Sequence, residues 1–238
     1  MMNKKRLLCI GGASGMGRGI AEAGIEAGAS VTITARSPEK ATAIARDLGC
    51  SGFAVDITDA TSVKSLFDNV GSIDHLAITA GATGRSSFKN TVPEEARGFM
   101  DGKLWATHRC IWQAKDLLDK DGSIVLVTGG YSDAATDAAG HVHIAFQAVE
   151  AMARVAAVSL APIRCNVIRP GFIDSALWDF MDNEDRQVLR ALEQSKTLTG
   201  QIVSPIELGR VAIRLMMSTP ITGAVIPVDG GRHLWTAE

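Results

Sequence analysis

Gly11, Gly15 and Gly17 stand in the run I-G-G-A-S-G-M-G over residues 10–17. Glycines let a chain turn sharply and bring backbone N–H groups against an anion, and a helix opening from the turn adds its positive dipole end. With Ala13, Ser14 and Met16 between them, these residues form a candidate cradle for a pyrophosphate. The spacing is G-x-x-x-G-x-G rather than G-x-G-x-x-G, so its weight comes from its place between a strand and a helix. Further on, Ala35 is followed by Arg36 and Ser37, with no carboxylate before Glu39. Where a dinucleotide fold reads the ribose 2′ position, a carboxylate accepts from a 2′-hydroxyl, whereas a guanidinium and a hydroxyl suit a 2′-phosphate. Arg36 and Ser37 therefore point to NADP in preference to NAD. The plainer alternative for Arg36 is a solvated cation at a strand end.

Other reactive side chains are sparse. His141 and His143 form H-x-H, but no Asp, Glu or Cys spacing completes a metal shell, so no metal is expected. Cys9, Cys50, Cys110 and Cys165 stand alone without C-x-x-C spacing, which reads as free thiols in a reducing cytoplasm. The chain has one tyrosine, Tyr131. Trp105, Trp112, Trp178 and Trp235 read as core, interface or lid packing.

The elements that must position these residues alternate along the chain. Continuous apolar, β-branched runs at Lys5–Ile10, Ser30–Ala35, Gly52–Val55, Ile73–Thr79, Ser123–Thr128, Arg164–Ile168 and Ala224–Val228 read as strands covered on both faces. Helical patterns lie between them at Met16–Ala27, Pro38–Leu48, Ala60–Val70, Pro93–Leu118, about 142–161, and Pro205–Met217. Pro38, Pro93 and Pro205 sit where helices can begin, and Ser37 and Ser204 suit N-caps. Alternating β and α with short links predicts an α/β fold: a doubly wound Rossmann sheet of about seven parallel strands with helices on both faces. No linker or repeat divides it, so residues 1–238 read as a single domain. Residues 173–201 break the alternation with an amphipathic segment of mixed charge, either a solvated helical insertion or a lid over a ligand. The helix near 142–161 is apolar nearly all round and needs cover on every side.

Composition narrows the function classes. The chain has 238 residues, 46% hydrophobic and 21% charged, with 26 acidic against 24 basic side chains and a net charge of −2. That balance disfavours nucleic acid or an anionic membrane as partner and fits a small-molecule substrate. The basic start leads only into Leu7–Ile10 before Gly11, too short an apolar run for a signal peptide or a membrane span.

Taken together, these residues resemble the short-chain dehydrogenase/reductase family over nearly the whole chain. The glycine turn is similar to that family's T-G-x-x-x-G-x-G, with Ile10 in place of Thr. Asp56 and Ile57 resemble its adenine-contacting Asp-hydrophobic pair. Ala80 and Gly81 match the second half of its N-N-A-G, with Ile78 and Thr79 replacing both Asn. A-P-I-R-C-N (161–166) and R-P-G-F-I-D-S (169–175) resemble the strand and Pro-Gly turn holding the nicotinamide end, so Pro170, Gly171 and Ile173 join the expected cofactor contacts. Ile221–Gly231 is similar to the closing strand and turn. The resemblance implies a homodimer or homotetramer built on the apolar helix and the long one before it.

The resemblance also implies a Ser, a Tyr and Lys four apart on one helix, and an Asn nearby. Counting back from A-P-I-R-C-N places the Tyr position at Val142 and the Lys position at Phe146, with the Ser position at Gly129 and the Asn position at Lys103. With a single tyrosine, no shift of that helix supplies Y-x-x-x-K. Near these positions lie Lys103, Thr128, Tyr131, Ser132, Asp133, His141 and His143. Lys103 is either a snorkelling surface lysine or a positive charge beside a substrate oxygen. Tyr131 either packs with its hydroxyl at the rim or donates a proton, and His143 is a further proton carrier. A one-residue slip would put His143 and Gln147 at the site. These residues leave three readings open: an NADP(H)-dependent reductase of a small carbonyl or enone with a non-standard proton donor, a nucleotide-binding protein or sensor that has lost the chemistry, and a lyase or isomerase on the same scaffold.

Overall fold

Seven strands pair in parallel in the order β3-β2-β1-β4-β5-β6-β7. They are β1 (Arg6–Ile10), β2 (Ser30–Ala35), β3 (Ser51–Ala54), β4 (Ile73–Ile78), β5 (Leu118–Val127), β6 (Arg164–Pro170) and β7 (Val225–Val228). The computed structural model describes residues 2–81, 87–129, 140–175, 178 and 181–235. Every residue of β4 is buried, as a strand covered on both faces requires. Cys9 of β1 aligns with Ile33 of β2 on one side and Ala77 of β4 on the other. The strand order reverses between β1 and β4, so a crevice opens beyond their carboxyl ends.

The helices are α1 (Gly15–Glu26), α2 (Pro38–Leu48), α3 (Ala60–Val70), α4 (Pro93–Met100), α5 (Ala106–Ala114), α6 (Gly140–Ser159), α7 (Asn183–Ser195) and α8 (Pro205–Met217). Pro38, Pro93 and Pro205 each open their helix, where the missing N–H is no loss. Ser37 caps α2 by accepting from Lys40 N, and Ser204 forms a reciprocal capping box with Glu207. Each sheet face carries its own core. Leu8, Ile10, Leu76, Ile78, Ile124 and Leu126 pack with residues of α3, α5 and α6. Leu7, Cys9, Ile33, Val125 and Ile168 pack with those of α1 and α8. Helices α1 and α8 cross at bare backbone: a Cβ on Gly19 would lie 2.0 Å from Pro205 O, and one on Gly209 would lie 2.1 Å from Gly19 O.

The expected helix over Pro93–Leu118 is instead α4, a π-helical turn (Asp101–Trp105) and α5, and Leu118 opens β5. Leu117 and Leu118 continue the helical period, but Ile73 N donates to Leu117 O at 2.9 Å and draws that end into the sheet. The pairing then resumes at His75–Ser123 after an irregularity that absorbs the polar stretch between. The other expected elements differ from the observed ones by a few residues at their ends. Within 173–201, α7 buries none of its side chains. Arg186 Nε holds Asp174 at 2.8 Å and Arg232 Nε holds Glu193 at 3.3 Å. Among the described residues no helix is long and apolar enough to cross a membrane, and no group of three metal-ligating side chains forms.

Candidate functional site

The glycine turn sits at the carboxyl end of β1. Gly11 adopts φ +88°, and its N–H donates to Thr34 Oγ1 at 3.1 Å. A Cβ on Gly17 would lie 2.1 Å from Gly11 O and 2.5 Å from Thr79 Oγ1, so the helix start folds tightly over the turn only because residue 17 lacks a side chain. Thr79 Oγ1 lies 3.3 Å from both Ile10 O and Gly11 O, bracing the turn from the end of β4. Ser14 is the N-cap of α1, and its exposed side chain makes no capping bond. Ser14 therefore leaves the first-turn amides of α1 uncapped, with the Ser175 side chain beside Gly15: its Oγ would lie 3.7 Å from a Cβ there.

Arg36 and Ser37 leave β2 exposed on the same edge. Ser37 Oγ accepts from Lys40 N at 3.2 Å, which leaves its O–H free to donate outward. Asp56 folds back on its own loop, accepting from Thr58 N at 2.9 Å and Thr58 Oγ1 at 2.7 Å. Those bonds, helped by the charges of Arg36 and Arg109, hold its carboxyl below the usual range. Ile57 is buried, and its carbonyl accepts from Arg109 Nη1 at 2.7 Å.

Lys103 is not a surface lysine. It is 4% exposed, on the π-helical turn, and Nζ donates to Val127 O at 2.9 Å and Ala80 O at 3.2 Å. These carbonyls lie at the ends of β5 and β4, so the ammonium bridges two strand ends. Among the described residues no carboxylate pairs with it, and burial pushes its pKa down to about 8. Gly81, at φ +148°, admits it: a Cβ there would lie 2.4 Å from Lys103 Cδ. Nζ also lies 5.7 Å from the centroid of the Phe146 ring. Phe146 and Val142 are buried one turn apart on α6, and the Phe146 ring covers Gly129.

His143 is half-buried on the same helix, one residue past Val142 and so off the Val142–Phe146 stripe. His141 stacks on Phe88, with ring centroids 5.4 Å apart, and on Phe99 at 6.5 Å, so it packs between aromatic rings. Tyr131, Ser132 and Asp133 lie outside the described residues. At the exit of β6, Gly171 N donates to Val228 O at 3.1 Å, and a Cβ on Gly171 would lie 2.8 Å from Asp229 Cβ. Pro170 ends the strand, and the buried Ile173 accepts at its carbonyl from Trp178 Nε1 at 3.0 Å.

One cluster was not foreseen from the sequence. Glu150, on α6 one turn beyond Phe146, is buried against Arg169 of β6 and Thr128 at the end of β5. An acid in the apolar stripe Val142–Phe146–Glu150 and an arginine just before Pro170 were the available signals.

The model of a family described as Enoyl-(Acyl carrier protein) reductase matches residues 11–233. A short-chain dehydrogenase/reductase of Gibberella fujikuroi is 28% identical over 96% of this chain and 94% of its own. A 3-oxoacyl-[acyl-carrier-protein] reductase of Vibrio harveyi is 28% identical over 97% of this chain and 98% of its own. A small-chain dehydrogenase solved in complex with NADPH superposes with a TM-score of 0.84 at 27% identity, covering 98% of this chain and all of that one. With its parallel seven-stranded sheet, its glycine turn at the end of β1 and a family match across nearly its whole length, the chain belongs to the short-chain dehydrogenase/reductase family.

Proposed function

We propose that this protein is an NADP(H)-dependent oxidoreductase that reduces a small carbonyl or enone. The observation that carries the reading is Lys103, a buried ammonium without a carboxylate partner among the described residues, at the carboxyl ends of β4 and β5. Keeping such a charge out of water is unfavourable, and groups held that way concentrate where chemistry needs them. The cofactor's fit rests on the tightness of the turn: a Cβ on Gly11 or Gly17 would strike Thr79 Oγ1 and neighbouring backbone, so only glycine lets the start of α1 close over the end of β1, the form a pyrophosphate cradle needs. Gly11, Ala13, Ser14, Gly15, Met16 and Gly17 would hold the pyrophosphate, Arg36 and Ser37 a 2′-phosphate, and Asp56 and Ile57 the adenine. Ala80, Gly81, Pro170, Gly171 and Ile173 would frame the nicotinamide end. The NADPH complex of the similar dehydrogenase supports this choice of cofactor.

When bound, NADPH supplies the hydride. In this reading Gly129, Val142 and Phe146 take the positions where the family's Ser, Tyr and Lys stand, so the chain's acid–base work falls to other groups. Lys103 stabilises negative charge on the substrate oxygen from the strand-end wall. A proton comes from Tyr131, from His143 or, for an enone, from solvent. Phe146 and Val142 give the substrate an apolar wall. Residues 173–201 act as a lid within one dinucleotide-binding domain spanning 1–238. Exposed Trp112 on α5 and Val155 on α6 line a cavity of about 270 Å³, and Val158 is exposed on the same helix as Val155, which supports a homodimer or homotetramer joined there. The protein would work in the cytoplasm on a small molecule, with neither nucleic acid nor membrane as partner.

The test is NADPH oxidation followed at the reduced-nicotinamide absorbance across ketones, enones and imines. Turnover lost in Lys103→Ala and kept in Tyr131→Phe assigns the charge to Lys103. Tight NADPH binding with no turnover across the panel would defeat the reductase reading.

A further inference from the structure

Glu150 is 1% exposed, and its carboxylate is gripped from two other elements. Arg169 Nε donates to Oε1 at 3.0 Å and Nη2 to Oε2 at 2.5 Å, a two-point grip from β6. Thr128 Oγ1 donates to Oε1 at 3.2 Å from the end of β5. The side chains are 15% and 2% exposed for Arg169 and Glu150, so this pair is largely desolvated, in keeping with a lowered Arg169 pKa. A buried ion pair contributes little net stability compared with apolar residues of the same volume, because desolvation offsets the attraction. Its planar fork fixes direction instead, which apolar packing does not.

That direction matters because Thr128 and Arg169, which both bond Glu150, adjoin the cleft. Gly129 comes directly after Thr128, and the Pro170–Gly171 turn directly after Arg169. Thr128 N also donates to Ile168 O at 3.1 Å, tying the two strand exits together. Glu150 continues the stripe of Val142 and Phe146, so a single helix face sets both the apolar wall and the two exits.

We infer that Glu150 and Arg169 are positioning residues that hold the β5 and β6 exits in register with α6, and so set the nicotinamide end of the cofactor cleft. The inference rests on the dinucleotide reading above. The adenine and phosphate half of the cleft, built on β1, β2 and the loop after β3, does not depend on this pair.

Two probes separate the halves: NADPH, and 2′-phospho-ADP-ribose, which lacks the nicotinamide. Both are titrated by calorimetry into the full-length wild type, Glu150→Gln, Arg169→Lys and Thr128→Val, with thermal unfolding of each protein alongside. Arg169→Lys keeps the charge and loses the fork, so it is expected to weaken NADPH about tenfold while 2′-phospho-ADP-ribose stays within about twofold. Glu150→Gln is expected to do the same more strongly; if it does not fold, Arg169→Lys and Thr128→Val carry the comparison. Equal weakening of both probes, or no change in either, overturns the assignment. A wild type that binds neither probe overturns the dinucleotide reading itself and this assignment with it.

Discussion

The Phe146 ring lies against Gly129 so closely that a Cβ on Gly129 would fall 2.6 Å from Phe146 Cε2. The two residues are therefore coupled: the aromatic side chain on α6 occupies the space that a side chain at position 129 would need. A serine at 129 and a phenylalanine at 146 do not fit together without movement. Gly129→Ser alone is expected to destabilise the fold by about 1–3 kcal/mol, the usual cost of overpacking. Gly129→Ser with Phe146→Ala should lose less than the sum of the single changes. A double-mutant cycle on thermal or denaturant unfolding measures the coupling, and strict additivity would contradict it.

Lys103 makes a prediction that separates stability from activity. Its pKa lies near 8 in the folded protein against 10.5 for an ordinary lysine. Between those values the unfolded chain binds more protons, so the group's penalty is constant below pH 8 and is relieved as pH rises through 8 to 10.5. Lys103→Met should raise stability near neutral pH by up to about 3 kcal/mol and abolish turnover. The gain should shrink between pH 8 and 10.5, as denaturant titrations at a series of pH values would show. In the wild type, turnover should fall as pH rises through about 8.

Arg36 stands exposed at the end of β2, beside the hydroxyl of Ser37. Arg36→Asp is expected to weaken NADPH about 10- to 100-fold, from lost guanidinium–phosphate bonds and added repulsion, and to leave NADH within a few-fold. Quenching of tryptophan fluorescence measures both affinities. Equal losses for the two nucleotides would remove the 2′-phosphate assignment.

His75 lies within β4, and its Nδ1 is 2.9 Å from Ser123 Oγ. Among the described residues nothing hydrogen-bonds the buried Nε2, and burial lowers the pKa to about 4 from 6.5. The unfolded chain binds the proton first on acidification, so His75 stability is complete above pH 6.5 and is lost as pH falls toward 4. His75→Gln should flatten the stability profile in that window. Denaturant midpoints from pH 7 to 4 test it, and an unchanged slope would exclude His75 as the source.

The sequence by itself determined the architecture and one half of the cleft. Continuous apolar strands alternating with capped helices admit little but a parallel sheet covered on both faces, and the Gly11–Gly17 turn is local, so its tight geometry is legible in its own residues. Boundaries were legible where a cap marks them, as at Ser37 and Ser204. They failed at Leu118, where a helical period ran on into a residue that the sheet claimed through a backbone bond. The other half of the cleft was decided only by tertiary structure. Whether Lys103 was a surface lysine or a buried bridge between Ala80 and Val127 depended on which strand ends its helix packed against. That Gly129 and Phe146 are one coupled feature, and that Glu150 meets Arg169 and Thr128, rests on contacts between elements separated along the chain. Periodicity and spacing describe a residue's own neighbourhood in sequence, whereas these contacts arise from distances that exist only once the sheet, α6 and the π-helical turn have packed together.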